Sequence, residues 1–408
     1  MNHRRGVDCS DSDGSAATAE QQEGEGETIR DRPKKQGESV TGCENAQITG
    51  GGVKMRGKAL GVMGIVLSML LIASVANAAE VIKLKFASYF PPMHQHSVIM
   101  DEFTKRLNKD LAGKLEISYH GGGTLLSAPK MAAGLTTGIA DIGLSHVGYT
   151  RERFPVSEIF GLPIACPSPW IGLHVANDFF AKYNLKEWND YHPLMFTTSA
   201  TTIIHTTKKP VHKLEDLKGL KIRATGRLAD LTSALGATPV PIGMPDMYES
   251  LRKGVVDGTM SNMETLKGWK TGEVIKFATT SWKVGSCDTF YVVMSKKKWD
   301  SLPADIQKVI TAVTEEYKEK WAVLWNNIDI EGLDFFKKQG GQVIDLSDAE
   351  IARWSKAAEP VFADFKKDMM GKGYTAADVD GWLSFIRERI EYWKGQEKAK
   401  KIATVYQY

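Results

Sequence analysis

Cysteine is scarce in this chain of 408 residues: Cys9, Cys43, Cys166 and Cys287, with no Cys-x-x-Cys among them. A zinc ribbon or a dithiol redox motif therefore has no support. His-Glu-x-x-His, Gly-x-Ser-x-Gly and a phosphate loop ending in Gly-Lys-Ser/Thr are also missing. With them go the usual signatures of zinc peptidases, α/β-hydrolases and nucleotide-binding loops. His94-x-His96, with His120 or His146, is a histidine grouping of metal-binding type, but it stands alone beside Pro91-Pro92. No metal, no cofactor and no catalytic group is expected. An excess of one charge is lacking too. At 25% charged residues the formal net charge is only +3, so there is no nucleic-acid footprint. The lysine runs at 296–298 and 398–401 read as solvated faces.

What is present divides at residue 78. Residues 1–54 are rich in Gly, Glu, Gln and Ser and nearly free of large apolar side chains, so they cannot bury a core. Met55-Arg56-Gly57-Lys58 then opens a basic start, an apolar run follows from Ala59 to Val75, and Ala76-Asn77-Ala78 closes it. That is the layout of a secretory signal peptide over 55–78, with Met55 as the expected true start. The run is too short for a convincing membrane anchor, so no membrane insertion of the mature chain is expected. Cleavage leaves Cys166 and Cys287, and a disulfide and two buried free thiols both stay open.

The remainder, at 42% hydrophobic overall, is long enough for two lobes. Val81–Ala87 alternates as a strand, and a helix follows with Val98, Phe103 and Leu107 as core candidates. Leu115–Tyr119 is a second strand, and a helix near 130–137 leads to Ile139–Gly143. Alternating strands and helices predict a mostly parallel α/β sheet. The spacing Met131, Leu135, Gly138, Asp141 recurs as Met247, Leu251, Gly254, Asp257, as two similar α/β lobes would give. From Pro303 to Gln339 the apolar residues Ile306, Ile310, Val313, Tyr317, Leu324, Ile328 and Phe335 follow helical steps. A helix that long spans both lobes, with Gly332 as a candidate bend. The aromatics of the helical tail, such as Trp354, Phe365 and Trp382, read as core.

The stretch from 214 to 264 carries the most information. It runs Leu-Glu-Asp-Leu-Lys-Gly-Leu-Lys-Ile-Arg (214–223), Ala-Leu-Gly-Ala-Thr-Pro-Val-Pro (234–241) and Tyr-Glu-Ser-Leu-Arg-Lys-Gly-Val-Val-Asp-Gly (248–258). Arg223 falls at the carboxyl end of a short strand, where clefts open in α/β sheets. Gly-Gly-Gly-Thr-Leu (121–125), Gly-Ile-Ala-Asp-Ile-Gly (138–143), Phe-Pro-Val-Ser-Glu-Ile-Phe-Gly-Leu-Pro (154–163) and Lys-Lys-Pro-Val (208–211) stand in order around it. As an ordered set these segments resemble the extracytoplasmic solute-binding proteins of TRAP transporters, the C4-dicarboxylate-binding periplasmic family, over roughly residues 80–340.

The resemblance implies a two-lobed periplasmic-binding-protein-like α/β fold with a ligand cleft between the lobes and a long hinge-spanning helix. It divides the chain into lobe I (79–201 plus 289–330) and lobe II (202–288 plus 331–408). It implies a non-enzymatic periplasmic receptor that hands a small organic acid to a sodium-coupled TRAP permease. The arginine at position 223 would grip the acid's carboxylate, for which its planar fork is suited. Two positions depart from the family pattern. Thr202 stands where many relatives have a second arginine, and the run after Val-Asp-Gly is Thr259-Met260-Ser261-Asn262, with Asn262 one residue late. A cleft short of one cation and lined by Met260 favours a monocarboxylate with an apolar or aromatic body. Ser261, Asn262, Tyr89, His146, Tyr149 and Trp282 are the further ligand-binding candidates. Alternative readings are an ABC-importer binding protein, a sensor-kinase co-receptor or a secreted metal-dependent hydrolase.

Overall fold

The computed structural model describes residues 80–406, so the extension 1–54, the segment 55–78 expected to be a signal peptide, Cys9 and Cys43 lie outside the described part. Eleven strands are formed there: β1 (Ile82–Ser88), β2 (Leu115–His120), β3 (Ile142–His146), β4 (Tyr191–Thr198), β5 (Ile203–Thr206), β6 (Lys221–Arg223), β7 (Thr238–Val240), β8 (Gly258–Ser261), β9 (Phe277–Thr280), β10 (Thr289–Ser295) and β11 (Gln342–Asp345). They make two sheets, ordered β2-β1-β3-β10-β4 and β11-β9-β5-β8-β6-β7. β1, β2 and β3 run parallel, as do β6, β7 and β8, so each sheet gathers several carboxyl ends along one edge. This is the two-lobed α/β architecture expected from the sequence. The chain passes between the sheets at 199–202 and 281–288. These crossings are hydrogen-bonded side by side, Ser199 N–H donating to the Asp288 carbonyl (2.9 Å) and Thr202 N–H to that of Ser286 (2.8 Å).

The periodic stretch expected to be helical is a single helix, Ala304–Lys338. At 1.5 Å per residue it is about 50 Å long. It packs on the helices Gln95–Asp110 and Pro169–Tyr183 beside the first sheet and on Glu264–Gly268 beside the second. Its buried stripe differs in part from the expected one. Trp321, Trp325 and Phe336 are fully buried, whereas Leu324 and Phe335 are half-buried. A helix wedged between two lobes is covered on more than one side, so a single-stripe reading selects the wrong neighbours. Gly332 does not end or divide this helix. A Cβ there would lie 2.1 Å from the Met263 carbonyl oxygen, so glycine serves close backbone approach. In the helix Gln95–Asp110, Phe103 and Leu107 are core, but Val98 is only half-buried. The stretch 331–408, expected with the second lobe, divides its packing. Helix Asp348–Gly371 lies on helix Arg227–Ala234, and helix Ala376–Ala399 lies on Pro169–Tyr183.

One core residue makes stability depend on pH. His205 in β5 is fully buried and neither ring nitrogen has a hydrogen-bond partner, so burial lowers its pKa to about 3. The unfolded chain takes up this proton near pH 6.5 and the folded chain does not. Stability is therefore unaffected above pH 6.5 and is lost as pH falls from there toward 3, at up to about 1.4 kcal/mol per pH unit. His205→Leu is expected to melt no lower than the parent at pH 7.5 and to lose less Tm between pH 7 and pH 5. An equal loss in both proteins would contradict this.

Candidate functional site

The candidates come from facing edges of the two sheets. Tyr89 follows β1, His146 ends β3 and Tyr149 lies one short turn later. β1 and β3 are adjacent and parallel, which puts these three at one edge. From the other sheet, Arg223 ends β6 and Ser261 ends β8, followed by Asn262. Arg223 pairs in register with Thr259, so strand alternation sets Arg223, Thr259 and Ser261 on one face. The Thr259 and Ser261 hydroxyls lie 3.3 Å apart. Met260 points to the opposite face, where its sulfur accepts a 3.9 Å hydrogen bond from the Thr232 hydroxyl. It is a core residue and not the cleft wall expected from sequence.

The two edges meet. The Tyr149 hydroxyl accepts a hydrogen bond from the Met244 N–H (3.2 Å), and the Arg223 guanidinium lies near enough to stabilise the ionised phenol. The Tyr149 ring stands edge-on to Tyr89 (5.6 Å) and to His146 (5.0 Å). Tyr89 stacks on Phe90 at 4.4 Å and faces Trp269 across the cleft at 6.2 Å. Gly226, at φ 55°, and Gly148 touch so closely that a Cβ on Gly226 would lie 2.9 Å from the Gly148 Cα. Burial raises the phenol pKa of both tyrosines, and the nearby guanidinium of Arg223 pulls both part of the way back. Tyr89, Met244 and Trp269 also border a cavity of about 690 Å³ that contains Pro91, Met93 and His94 and is mostly apolar. Arg223 does not line this cavity.

Arg223 is only 2% exposed. Its Nε donates to the Ile242 carbonyl at 2.7 Å, and no carboxylate among the described residues forms an ion pair with it. Arg227, four residues on and 4% exposed, differs sharply. It meets Asp368 at 2.8 Å, Asp230 at 3.1 Å and Glu158 at 3.5 Å. Buried charges in proteins are normally paired, because desolvating a lone one costs several kcal/mol. Arg227 obeys the rule as a structural residue. Arg223 has no such pair among the described residues.

The other candidates divide. The Asn262 side-chain Nδ2 is buried without a partner, a free donor near the carboxyl end of β8. Thr202 donates its hydroxyl to the Ser286 carbonyl (3.0 Å) and belongs to the hinge ladder. Trp282 is not brought into the group. It stacks on Tyr406 at 5.7 Å and borders a separate hollow with Pro167 and Arg387. Sequence reading missed Asp288, whose carboxylate lies 3.0 Å from His146 Nε2. Burial works against its ionisation, but His146 and Arg223 outweigh it and hold the carboxyl below its ordinary range. The partner is 142 positions away in sequence, and no local pattern announces it. Cys166 and Cys287 are buried free thiols, Cys287 Sγ lying 3.6 Å from the Cys166 carbonyl.

His94, His96 and Glu264 are the group of metal-ligating type among the described residues, with ligand atoms within 4.8 Å. Their hydrogen bonds argue against a cation there. His94 Nδ1 accepts from the His96 N–H (3.2 Å) and His96 Nδ1 accepts from Trp321 Nε1–H (2.9 Å). In the neutral rings both Nε2 atoms then carry hydrogen. His94 Nε2–H donates to Glu264 at 3.1 Å. The His94–Glu264 hydrogen bond links the two lobes, and His96 Nε2 carries its hydrogen without a partner, so neither nitrogen offers a lone pair to a cation.

A family model described as "Bacterial extracellular solute-binding protein, family 7" (DctP) matches residues 86–368. The chain belongs to this family. The family 7 protein is 25% identical over 287 residues to the C4-dicarboxylate-binding periplasmic protein DctP of Vibrio cholerae, covering 68% of this chain and 83% of that one. Among solved structures, a TRAP periplasmic solute-binding protein of Desulfovibrio salexigens is 31% identical with a TM-score of 0.67, covering 77% of this chain and 97% of its own. A marine-metagenome TRAP solute-binding protein described as specific for aromatic acid ligands, in complex with metahydroxyphenylacetate, is 25% identical with a TM-score of 0.71. It covers 76% of this chain and 99% of its own. The family 7 protein is thus a solute-binding protein of the TRAP periplasmic type. No helix among the described residues is long and apolar enough to cross a membrane.

Proposed function

We propose that this receptor closes lobe I (79–201 plus 289–330) and lobe II (202–288 plus 331–408) on a monocarboxylic acid with an apolar or aromatic body. It then delivers that acid to a sodium-coupled TRAP permease. The Arg223 guanidinium takes the carboxylate, with Asn262 Nδ2, the Ser261 hydroxyl and the Tyr149 hydroxyl completing its hydrogen bonds. The body of the ligand packs among Tyr89, Trp269 and Met244. The carrying observation is a guanidinium buried to 2% exposure with no carboxylate ion pair. A monoanion supplies the missing charge in a dry site, where the pair is worth several times its surface value. The relative complexed with metahydroxyphenylacetate supports the aromatic leaning, as does the apolar cavity beside Tyr89.

A thermal-shift series over benzoate, phenylacetate and succinate tests this. The aryl acids are expected to raise Tm, a ligand at a hundred times its Kd adding about 2.7 kcal/mol. Succinate is expected to leave Tm unmoved at the same concentration. A larger shift with succinate would overturn the preference, and no shift with any acid would overturn the proposal.

A further inference from the structure

Two carboxylates, Asp288 and Glu264, lie near Tyr89 and hold no part of the proposed ligand. Asp288 holds His146 Nε2 at 3.0 Å on the Arg223 side, and Glu264 holds His94 Nε2 at 3.1 Å on the cavity side. His146 is 5% exposed, Glu264 4% and His94 4%, whereas the Asp288 side chain is 15% exposed. Asp288 borders the narrow gap between the lobes with Thr225 and Gly226, and Glu264 lines the cavity. Glu264 is itself fixed, its N–H donating to Asp329 on the long helix at 2.8 Å. A ligand anchored on Arg223 and lying past Tyr89 would pass both carboxylates.

We propose that Asp288 and Glu264 determine the charge of the ligand, admitting a monoanion and rejecting an otherwise identical dianion. The inference rests on the assignment of the ligand's carboxylate to Arg223. Whatever protons His146 and His94 hold, Arg223, the two imidazoles and the two carboxylates sum to no more than one positive charge. The ligand's first carboxylate uses that charge. A second carboxylate would meet Asp288 or Glu264 in a low-dielectric enclosure with no cation left for it. The lysines near the cavity do not alter the count, because Lys267 and Lys270 are exposed at its mouth and Lys267 is paired with Glu331 at 2.6 Å. Both carboxylates also push the Tyr89 phenol upward, after burial and Tyr149, so their field reaches the space between them. The device works by repulsion, which is how sites discriminate between ligands of equal shape.

The test compares isophthalate with its neutral-armed isostere 3-carbamoylbenzoate, so that shape is constant and only the second charge differs. Titration calorimetry at pH 7.5 on the mature protein gives the ratio of their Kd values. In the parent protein 3-carbamoylbenzoate is expected to bind at least a hundredfold more tightly. Asp288→Asn should reduce that ratio tenfold or more, Glu264→Gln should reduce it in the same direction, and Asp288→Glu, which keeps the charge, should restore it. A ratio that moves less than twofold in both neutral variants would overturn the proposal. So would a parallel loss of both acids, the mark of a merely structural role. If Arg223 is not the anchor, Arg223→Ala would instead bind 3-carbamoylbenzoate as the parent protein does, and the ratio would lose its meaning together with the anchor.

Discussion

Arg223→Ala is expected to reduce affinity for an aryl monocarboxylate by about 10² to 10⁴-fold and to leave the ligand-free protein at least as stable. The first figure follows from two parallel hydrogen bonds to an ionised group, each worth about 1.5–3 kcal/mol, at roughly 1.4 kcal/mol per tenfold change. Arg223→Lys keeps the charge but has no planar fork, so an intermediate loss of about 10 to 100-fold is expected. The second figure separates a binding residue from a structural one. Arg223 has a carbonyl at 2.7 Å but no ion-paired carboxylate, so deleting it removes a desolvated charge, and Asp288, which it helps to keep ionised, retains His146 at 3.0 Å. Arg227→Ala should behave in the opposite way. It would leave Asp368, Asp230 and the buried Glu158 with less compensation and lower Tm without ligand. Titration calorimetry and ligand-free melting of the three variants check both halves. Unchanged affinity in Arg223→Ala and Arg223→Lys would remove Arg223 from the site.

Gly332→Ala is expected to destabilise the protein by about 3 kcal/mol, near the upper end for overpacking. At roughly 2.1 cal/mol/K per ordered residue that is about 4 °C in Tm. The new methyl would lie 2.1 Å from the Met263 carbonyl oxygen and 2.6 Å from its carbon. These are backbone atoms, so no side-chain rotation relieves the clash. The helix Ala304–Lys338 must then separate from the helix Glu264–Gly268, which moves the residues just after Asn262. A drop in ligand affinity of about tenfold should accompany the loss of stability, since misplaced polar contacts are costly. The same substitution at Gly395, exposed in the tail helix with nothing within 4 Å of the new atom, should add about 0.5–1 kcal/mol through helix propensity alone. Melting curves of the two variants decide the matter, and shifts of the same sign would contradict the role given to Gly332.

What could be read from the chain, and what could not, follows the range of the interactions involved. Lys221-Ile222-Arg223 alternates just after the stop at Lys218-Gly219, so both its strand and the position of its arginine at a carboxyl end were legible. The long helix was legible from its period, but Trp321 and Trp325 were not, because which faces are covered depends on which neighbours arrive. Met260 was read as a wall when it is core. It sits one residue from Ser261, and in a strand a single step changes the face. Gly332 read as a bend because a lone glycine in a helix has few local explanations. Its reason is the backbone of Met263, nearly seventy positions earlier. Asp288 and Glu264 gave no signal at all, since each acquires meaning only from a histidine in the other half of the chain.

The most direct measurement is a crystal structure of the mature protein with benzoate. The expected result is both carboxylate oxygens about 2.8 Å from the Arg223 guanidinium, the ring against Tyr89 and Trp269, and Asp288 still on His146. A benzoate bound elsewhere with Arg223 paired to Asp288, or with Arg223 turned to solvent, would contradict the assignment of this arginine as the anion clamp.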